Sequence, residues 1–437
     1  MQYIFSIALA LATLPAAINA KSVFAHIVMG NTAAHDVTLW TKDITLAKEA
    51  GIDAFVLNMG FGDSNIPPQV ANAFSAAEAA GSDFKLFFAF DYLGGGKPWP
   101  AGPSGEFSQS VMGILEKYKE SPAYFKVENK PFVSTFQGID NMGDWAPGGT
   151  IRSAVGDVFF VPNWDGTGLE KVQAAKDSIE GFFPWGMWPT GASNMTTDND
   201  LHWKNGLEGK SFMMGVSPWF FHSGAGDLKP WVWRGDDLWA DRWAQTLEVN
   251  PDFVQIVTWN DYGEAHYIGP LPSSESEIPD GSKQYVKDYP HDEWRNFLPY
   301  YISEYKNGKG TTQIEKDKLQ FWYRTSPNTG NSCGVTGNTA SQGQAVVADG
   351  KVMEDGIFFS ALLKEDSEVS VQIGDGQEVV KEGKKGINHW SVPLGGHTGT
   401  PIFSVKKSGL TAKGAEITAT SNLEGGCVNF NAFVGGA

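Results

Sequence analysis

Two acids three positions apart, Asp261 and Glu264 in the segment FVQIVTWNDYGEAHYIGP, carry the strongest chemical signal in the chain. The first half of the segment is apolar and β-branched, the pattern of a buried strand, and the second half sets both carboxyls among small and aromatic residues. Two carboxyls leaving one strand end can divide the work of glycoside hydrolysis. One is protonated and assists the leaving oxygen; the other is ionised and activates water or attacks carbon. Burial against Trp259 or Tyr262, together with mutual repulsion, would push their proton affinities apart. A third acid, Asp91 in FFAFDYLGGG, closes another apolar run. The plain alternative for a D-x-x-E spacing is a solvated loop or a helix cap, so the frame around these acids has to decide.

Strand-like runs fall at 23–29, 54–59, 85–92, 131–136, 157–164, 181–186, 212–219 and 253–260, and helical patterns at 38–50, 68–80, 108–118, 169–177, 237–247 and 292–305. Strands alternating with helices across fewer than 300 residues predict a parallel (β/α)8 TIM barrel at 21–306. A doubly wound open sheet competes, but no Gly-rich phosphate turn follows the first strand. A barrel puts functional residues at the C-terminal strand ends. Those positions hold His26, Asn58, Asp91, Tyr92, Gln137, Asn163, Asp165, Trp185, Trp188, Ser217, Trp219, Trp259, Asp261, Tyr262 and Glu264. With His291, and apart from Ser217, they form the candidate substrate-binding and catalytic set, although His26 and His291 also read as hydrogen-bonded structural histidines. Indole faces at strand ends, Trp99, Trp164, Trp231 and Trp233 included, would offer platforms to a pyranose.

Other chemistries fit poorly. Gly94-Gly95-Gly96-Lys97 lacks the Ser or Thr and the spacing of a phosphate loop. The histidines have no ligand spacing, so no metal or other cofactor is expected, and no G-x-S-x-G elbow occurs. The formal charge of −17 disfavours nucleic acid and anionic lipid as partners. Residues 1–20 are uncharged and apolar, with Pro15 and small residues up to Ala20, which predicts a secretory signal peptide and a secreted, extracellular, monomeric protein. Asn194-Met-Thr196 is a glycosylation sequon. Residues 307–318 read as a linker. From 319 to 437, short alternating runs with turn signals predict an antiparallel β-sandwich. Its two cysteines, Cys333 and Cys427, are expected to form a disulfide contributing roughly 4–5 kcal/mol.

The chain resembles glycoside hydrolase family 71, the fungal α-1,3-glucanases also called mutanases, in VFAHIVMGN, KLFFAFDY, KPFVSTFQG, FFVPNW, GVSPWFF, TWNDYGEAHYIGP, PHDEWR and FWYRTSP. The resemblance implies a metal-free, inverting, endo-acting hydrolase of α-1,3-glucan, with its catalytic pair on Asp261 and Glu264 and a third important acid on Asp91. Glu264 is expected as general acid, Asp261 as general base and Asp91 as an electrostatic or positioning partner. Inversion requires carboxyls roughly 6.5–9.5 Å apart, so a separation near 5 Å would count against this pair. Hydrolysis of another glucan, or non-catalytic binding of cell-wall carbohydrate, is the alternative.

Overall fold

The computed structural model describes residues 21–81, 83–102, 109–222, 230–328, 331–337, 347–421 and 423–437. The expected signal segment, 1–20, lies outside them. Eight apolar runs form parallel strands: β1 (Ser22–Val28), β2 (Ala54–Gly60), β3 (Lys85–Asp91), β4 (Lys130–Phe136), β5 (Phe159–Asn163), β6 (Gly181–Phe182), β7 (Ser211–Val216) and β8 (Phe253–Ile256). They share one sheet in the order β5-β4-β3-β2-β1-β8-β7-β6. The sheet curls toward its own starting edge. Glu180 N–H donates to Phe160 O at 2.9 Å and Phe183 N–H to Pro162 O at 3.0 Å, linking the β5 and β6 regions outside any named ladder. Strand β6 is shorter than the expected 181–186 because Pro184 has no N–H to extend a ladder.

Most of these strands read as unbroken apolar runs because both faces are covered. Helix Val37–Glu49 begins where Asp36 accepts the Leu39 N–H at 2.9 Å, and it buries Trp40, Ile44 and Ala47 at helical spacing. Helix Ile66–Ala79 carries proline in its first turn, where no N–H is needed. Consecutive ladders pair Gly60 with Asp91, Asp91 with Phe136, and Phe136 with Asn163. Four strand ends therefore stand at one level on the rim.

The C-terminal part contains two antiparallel sheets. The first has the order β13 (Gly386–Pro393), β10 (Gly356–Leu363), β9 (Lys318–Tyr323), β16 (Phe433–Gly436). The second has the order β12 (Val379–Gly383), β11 (Ser367–Ile373), β14 (Pro401–Val405), β15 (Leu410–Lys413). Alternation decides what each side chain meets. Leu319, Phe321 and Tyr323 share a core with Val371, Phe403 and Val405 of the second sheet, and Phe321 stacks on Phe403 with centroids 3.9 Å apart. Trp322, Phe358 and Leu362 point the other way, into the core of the parallel-sheet part. Cys333 and Cys427 are disulfide-bonded across 94 positions.

Among the short alternating runs expected between 319 and 437, those at 343–350, 416–426 and 427–436 differ from the structure in their described residues. The segment 343–350 lies partly outside the described residues, and its described end starts a helical turn at Asp349–Val352, since Asp and Gly suit turns better than strands. The described residues of the run 416–426 contribute one bridge, Ile417 to Gly399, and the run closes on Gly425 and Gly426, both at positive φ. In 427–436 only Phe433–Gly436 is a strand. The segment 307–318 is pinned at its start, where the Glu304 carboxylate accepts the backbone N–H groups of Gly310 and Thr312.

Candidate active site

The exit of β8 is held by its neighbours before it presents any chemistry. Asn260 brackets the end of β1, accepting the Val28 N–H at 2.8 Å and donating to Val28 O at 3.1 Å. Trp259 N–H donates to His26 O at 2.7 Å, and its ring packs on Phe55 under Arg295. The loop then folds back on itself. Asp261 N–H donates to Thr258 Oγ1 at 2.7 Å, and Glu264 N–H donates to Asp261 Oδ1 at 3.0 Å. Ala265, at φ 55, turns the chain so that His266 Nε2 reaches Glu264 Oε2 at 2.7 Å, while His266 Nδ1 meets Thr258 Oγ1 at 3.1 Å.

Burial sets the protonation of this cluster. It pushes Glu264 up to about 7, the nearby His222 opposing. It pushes Asp261 up to about 6, with the Glu264 charge adding to the rise. It pushes His266 down to about 4, so the imidazole is neutral. A neutral ring with its proton on Nε2 donates to Glu264 and accepts the Thr258 hydroxyl on Nδ1. The Glu264 side chain is 31 % exposed, so substrate can reach it while the imidazole behind it is sealed at 0 %. The cluster can thus hold one carboxyl protonated beside an ionised one.

Asp261, Glu264 and His266 each present a potential ligand atom within 4.8 Å of the others. Both imidazole nitrogens are engaged in hydrogen bonds within this cluster. One carboxylate oxygen of Asp261 and one of Glu264 lie within 4.8 Å of each other; the roughly 6.5–9.5 Å of an inverting pair is a separation between whole carboxyl groups.

Asp91 accepts the Leu93 and Gly94 N–H groups at 2.9 and 2.7 Å. Burial nevertheless raises its proton affinity, those two bonds opposing. A Cβ on Gly94 would sit 2.9 Å from the Asp91 carboxyl carbon and 2.9 Å from Gly60 Cα, so only glycine lets this turn close over the acid. Asp91 and Asn58 line a cleft of about 520 Å³ over the ends of β1 to β3. Asp165, fixed by Asn163 Nδ2 and Trp185 N–H at 2.9 Å each, lines another of about 490 Å³ with Trp188 beyond β5 and β6. In strand order the exit of β8 lies between them. Larger cavities of about 760 and 580 Å³ lie elsewhere.

Several expected sugar platforms are core. Trp99, Trp164, Trp219 and Trp259 are at most 1 % exposed. The first three spend their N–H groups on Met59 O, Gln137 O and Phe430 O, which locks strand ends instead of offering a face. Trp231 and Trp233 are buried beside Phe220, and Trp188 donates to Trp219 O. Trp185 keeps partial exposure between His26 and Phe136. Tyr92 is buried against Trp145, and Tyr262 is buried with its hydroxyl on Pro270 O. His291 is sealed between Tyr267 O and Ala432 O, a structural histidine and not a substrate contact. His26 accepts Gln255 Nε2 at 3.0 Å and is pushed down to about 3 by burial and by His266. Gln137, at φ 55, is half-buried at the end of β4. Asn194 bonds Arg234 and Asp237. Sequence reading missed Thr258 and His266; the E-A-H spacing was the available signal, because outside a helix residues i and i+2 can meet.

Residues 19–437 match the profile described as glycosyl hydrolase family 71. A glucan endo-1,3-alpha-glucosidase of Schizosaccharomyces pombe is 33 % identical over 95 % of this chain and 94 % of its own. A mutanase of Penicillium rubens is 35 % identical over 95 % of this chain and 88 % of its own. Among solved structures, a GH99 endo-alpha-mannosidase from Bacteroides thetaiotaomicron aligns with a TM-score of 0.44 at 18 % identity, covering 63 % of this chain and 80 % of that one.

Proposed function

The chain belongs to glycosyl hydrolase family 71 and is a glycoside hydrolase, and we propose that it is a secreted endo-hydrolase of α-1,3-glucan. The observation that carries the reading is the β8 exit loop, where burial raises the proton affinity of two carboxyls, Glu264 and Asp261, joined through a backbone hydrogen bond. The names of the two relatives support the linkage. Clefts on both sides of the pair suit a chain cut from within. In this reading the curled sheet is a closed (β/α)8 barrel at 21–306 and the two antiparallel sheets are a sandwich at 319–437, with 1–20 removed on secretion.

Glu264 delivers its proton to the departing glucosidic oxygen, and charge develops on the sugar as the bond opens. Asp261, ionised, faces that charge and takes the proton of the attacking water. His266 fixes the Glu264 carboxyl through Nε2, and Thr258 fixes His266 and the Asp261 backbone together. Asp91 adds a third carboxyl to the rim. Inversion, which the resemblance implies, requires the two carboxyls to flank the scissile bond roughly 6.5–9.5 Å apart, with room for a water between them. The first anomer seen by NMR reports this: β reducing ends support inversion, whereas α ends mean retention.

The reading is tested by assaying reducing ends released from a panel of α-1,3-, α-1,4-, α-1,6- and β-1,3-glucans. Release from α-1,3-glucan alone is expected. Comparable release from another glucan overturns the linkage, and no release from any overturns hydrolysis.

A further inference from the structure

Away from the β8 exit loop, helix Leu238–Val249, helix Leu298–Asn307 and the start of β13 enclose a groove of about 760 Å³. It lies where the two parts of the chain meet, a setting in which ligand sites are frequent, and its volume is in their usual range. The sequence makes the hollow. Ala240 and Ala244, one turn apart, leave the first helix without side chains to fill it, and Asp241 and Glu248 stand along its edge. Opposite them, half-buried Tyr300 and Ile387, 37 % exposed, supply apolar surface.

Two polar groups along this groove make no side-chain hydrogen bond to another of the described residues. Trp243 is 1 % exposed, lies parallel to Tyr301 at 5.4 Å, and its Nε1–H meets no acceptor among the described residues. Asp241 has no hydrogen bond among the influences on its carboxyl, which burial and then the Asp237 charge push up to about 6. The lining sets Asp241, Glu248 and Glu304 against Lys309, Lys385 and His389, a mixture of both signs. A neutral polyhydroxyl chain suits it: its C–H faces match Tyr300 and Ile387, and its hydroxyls can bond the Asp241 carboxyl.

We propose that this groove is a second, non-catalytic binding site for a neutral glucan chain, which holds the enzyme on insoluble substrate while another segment occupies the catalytic mouth. The proposal rests on the α-1,3-glucan reading. The full chain is tested as Tyr300→Ala and as Ala244→Trp, which fills the hollow from an exposed position. The readouts are adsorption to insoluble α-1,3-glucan, kcat/KM on soluble α-1,3-gluco-oligosaccharide, and Tm. Both variants should bind the insoluble glucan about tenfold more weakly, roughly the loss of one good contact, with soluble activity within about twofold of wild type. If Tyr300→Ala lowers Tm, Ala244→Trp decides. Wild-type adsorption by Ala244→Trp, or a parallel fall of both activities, overturns the groove. If the wild-type chain neither binds nor cleaves α-1,3-glucan, the parent reading has failed instead.

Discussion

Exchanging Glu264 for Gln removes a proton donor and almost no volume, which makes it the sharpest perturbation of the centre. Burial holds this carboxyl at about 7 against an ordinary 4.5. At pH 6, roughly nine-tenths of Glu264 therefore carries its proton, where a solvated glutamate would be roughly 3 % protonated. The site presents about thirtyfold more of the acid form than an exposed residue could. General-acid assistance accounts for about 10²–10⁴ in rate, so Glu264→Gln should lose that much of kcat on α-1,3-glucan while its Tm stays unchanged. The loss should shrink strongly on an α-1,3-gluco-oligosaccharyl fluoride, whose leaving group needs no proton; released fluoride measures that rate. Equal losses on both substrates, or a variant within about tenfold of wild type on glucan, would refute the assignment of Glu264 as acid.

The same groups fix a pH profile. Activity requires Asp261 ionised and Glu264 protonated, so kcat/KM should rise through about 6 and fall through about 7 as the pair titrates. A plateau extending past pH 8 would contradict this. His266→Gln should lower kcat by about tenfold or more with KM little changed and move the descending limb, since the imidazole orients Glu264 without touching sugar; an unmoved limb would leave His266 a packing residue. At His35, burial opposes the charge, but hydrogen bonds to Asp43 and Glu277 prevail and raise it to about 9. That stabilisation is complete below about 6.5 and is lost as pH rises through 9. Thermal melts of His35→Gln should therefore fall less than wild type over that interval, and parallel melting curves would count against it. Asp200 and Arg242 form a pair that is 1 % and 0 % exposed, joined at 2.7 Å. Asp200→Ala should cost about 3–5 kcal/mol by stranding the guanidinium, read by denaturant unfolding; a loss below about 1 kcal/mol would mean that the pair is hydrated.

The eight parallel strands were legible because burial on both faces writes each as an apolar run, and the β8 exit was legible because acids follow such a run abruptly. What lay hidden depended on pairing across the fold. Trp219 and Trp259 stand at strand ends as platforms would, but only the packing shows the first spending its N–H on Phe430 O and the second under Arg295. His291 has the same ambiguity, settled by two carbonyls from distant segments. His266 went unmarked because a reversal at Ala265, which no propensity signals, brings it back to Glu264. In the C-terminal part, alternation marked β9 and β10, whereas the glycines at 425 and 426 ended a run that composition alone would extend.

The most direct test follows reducing-end release from insoluble α-1,3-glucan by wild type, Asp261→Asn and Glu264→Gln at pH 6, with Tm measured for each. Steady release by wild type is expected, with rates at least about 100-fold lower in both variants at unchanged Tm. Wild-type rates in either variant, or no release by the unaltered chain, would contradict it.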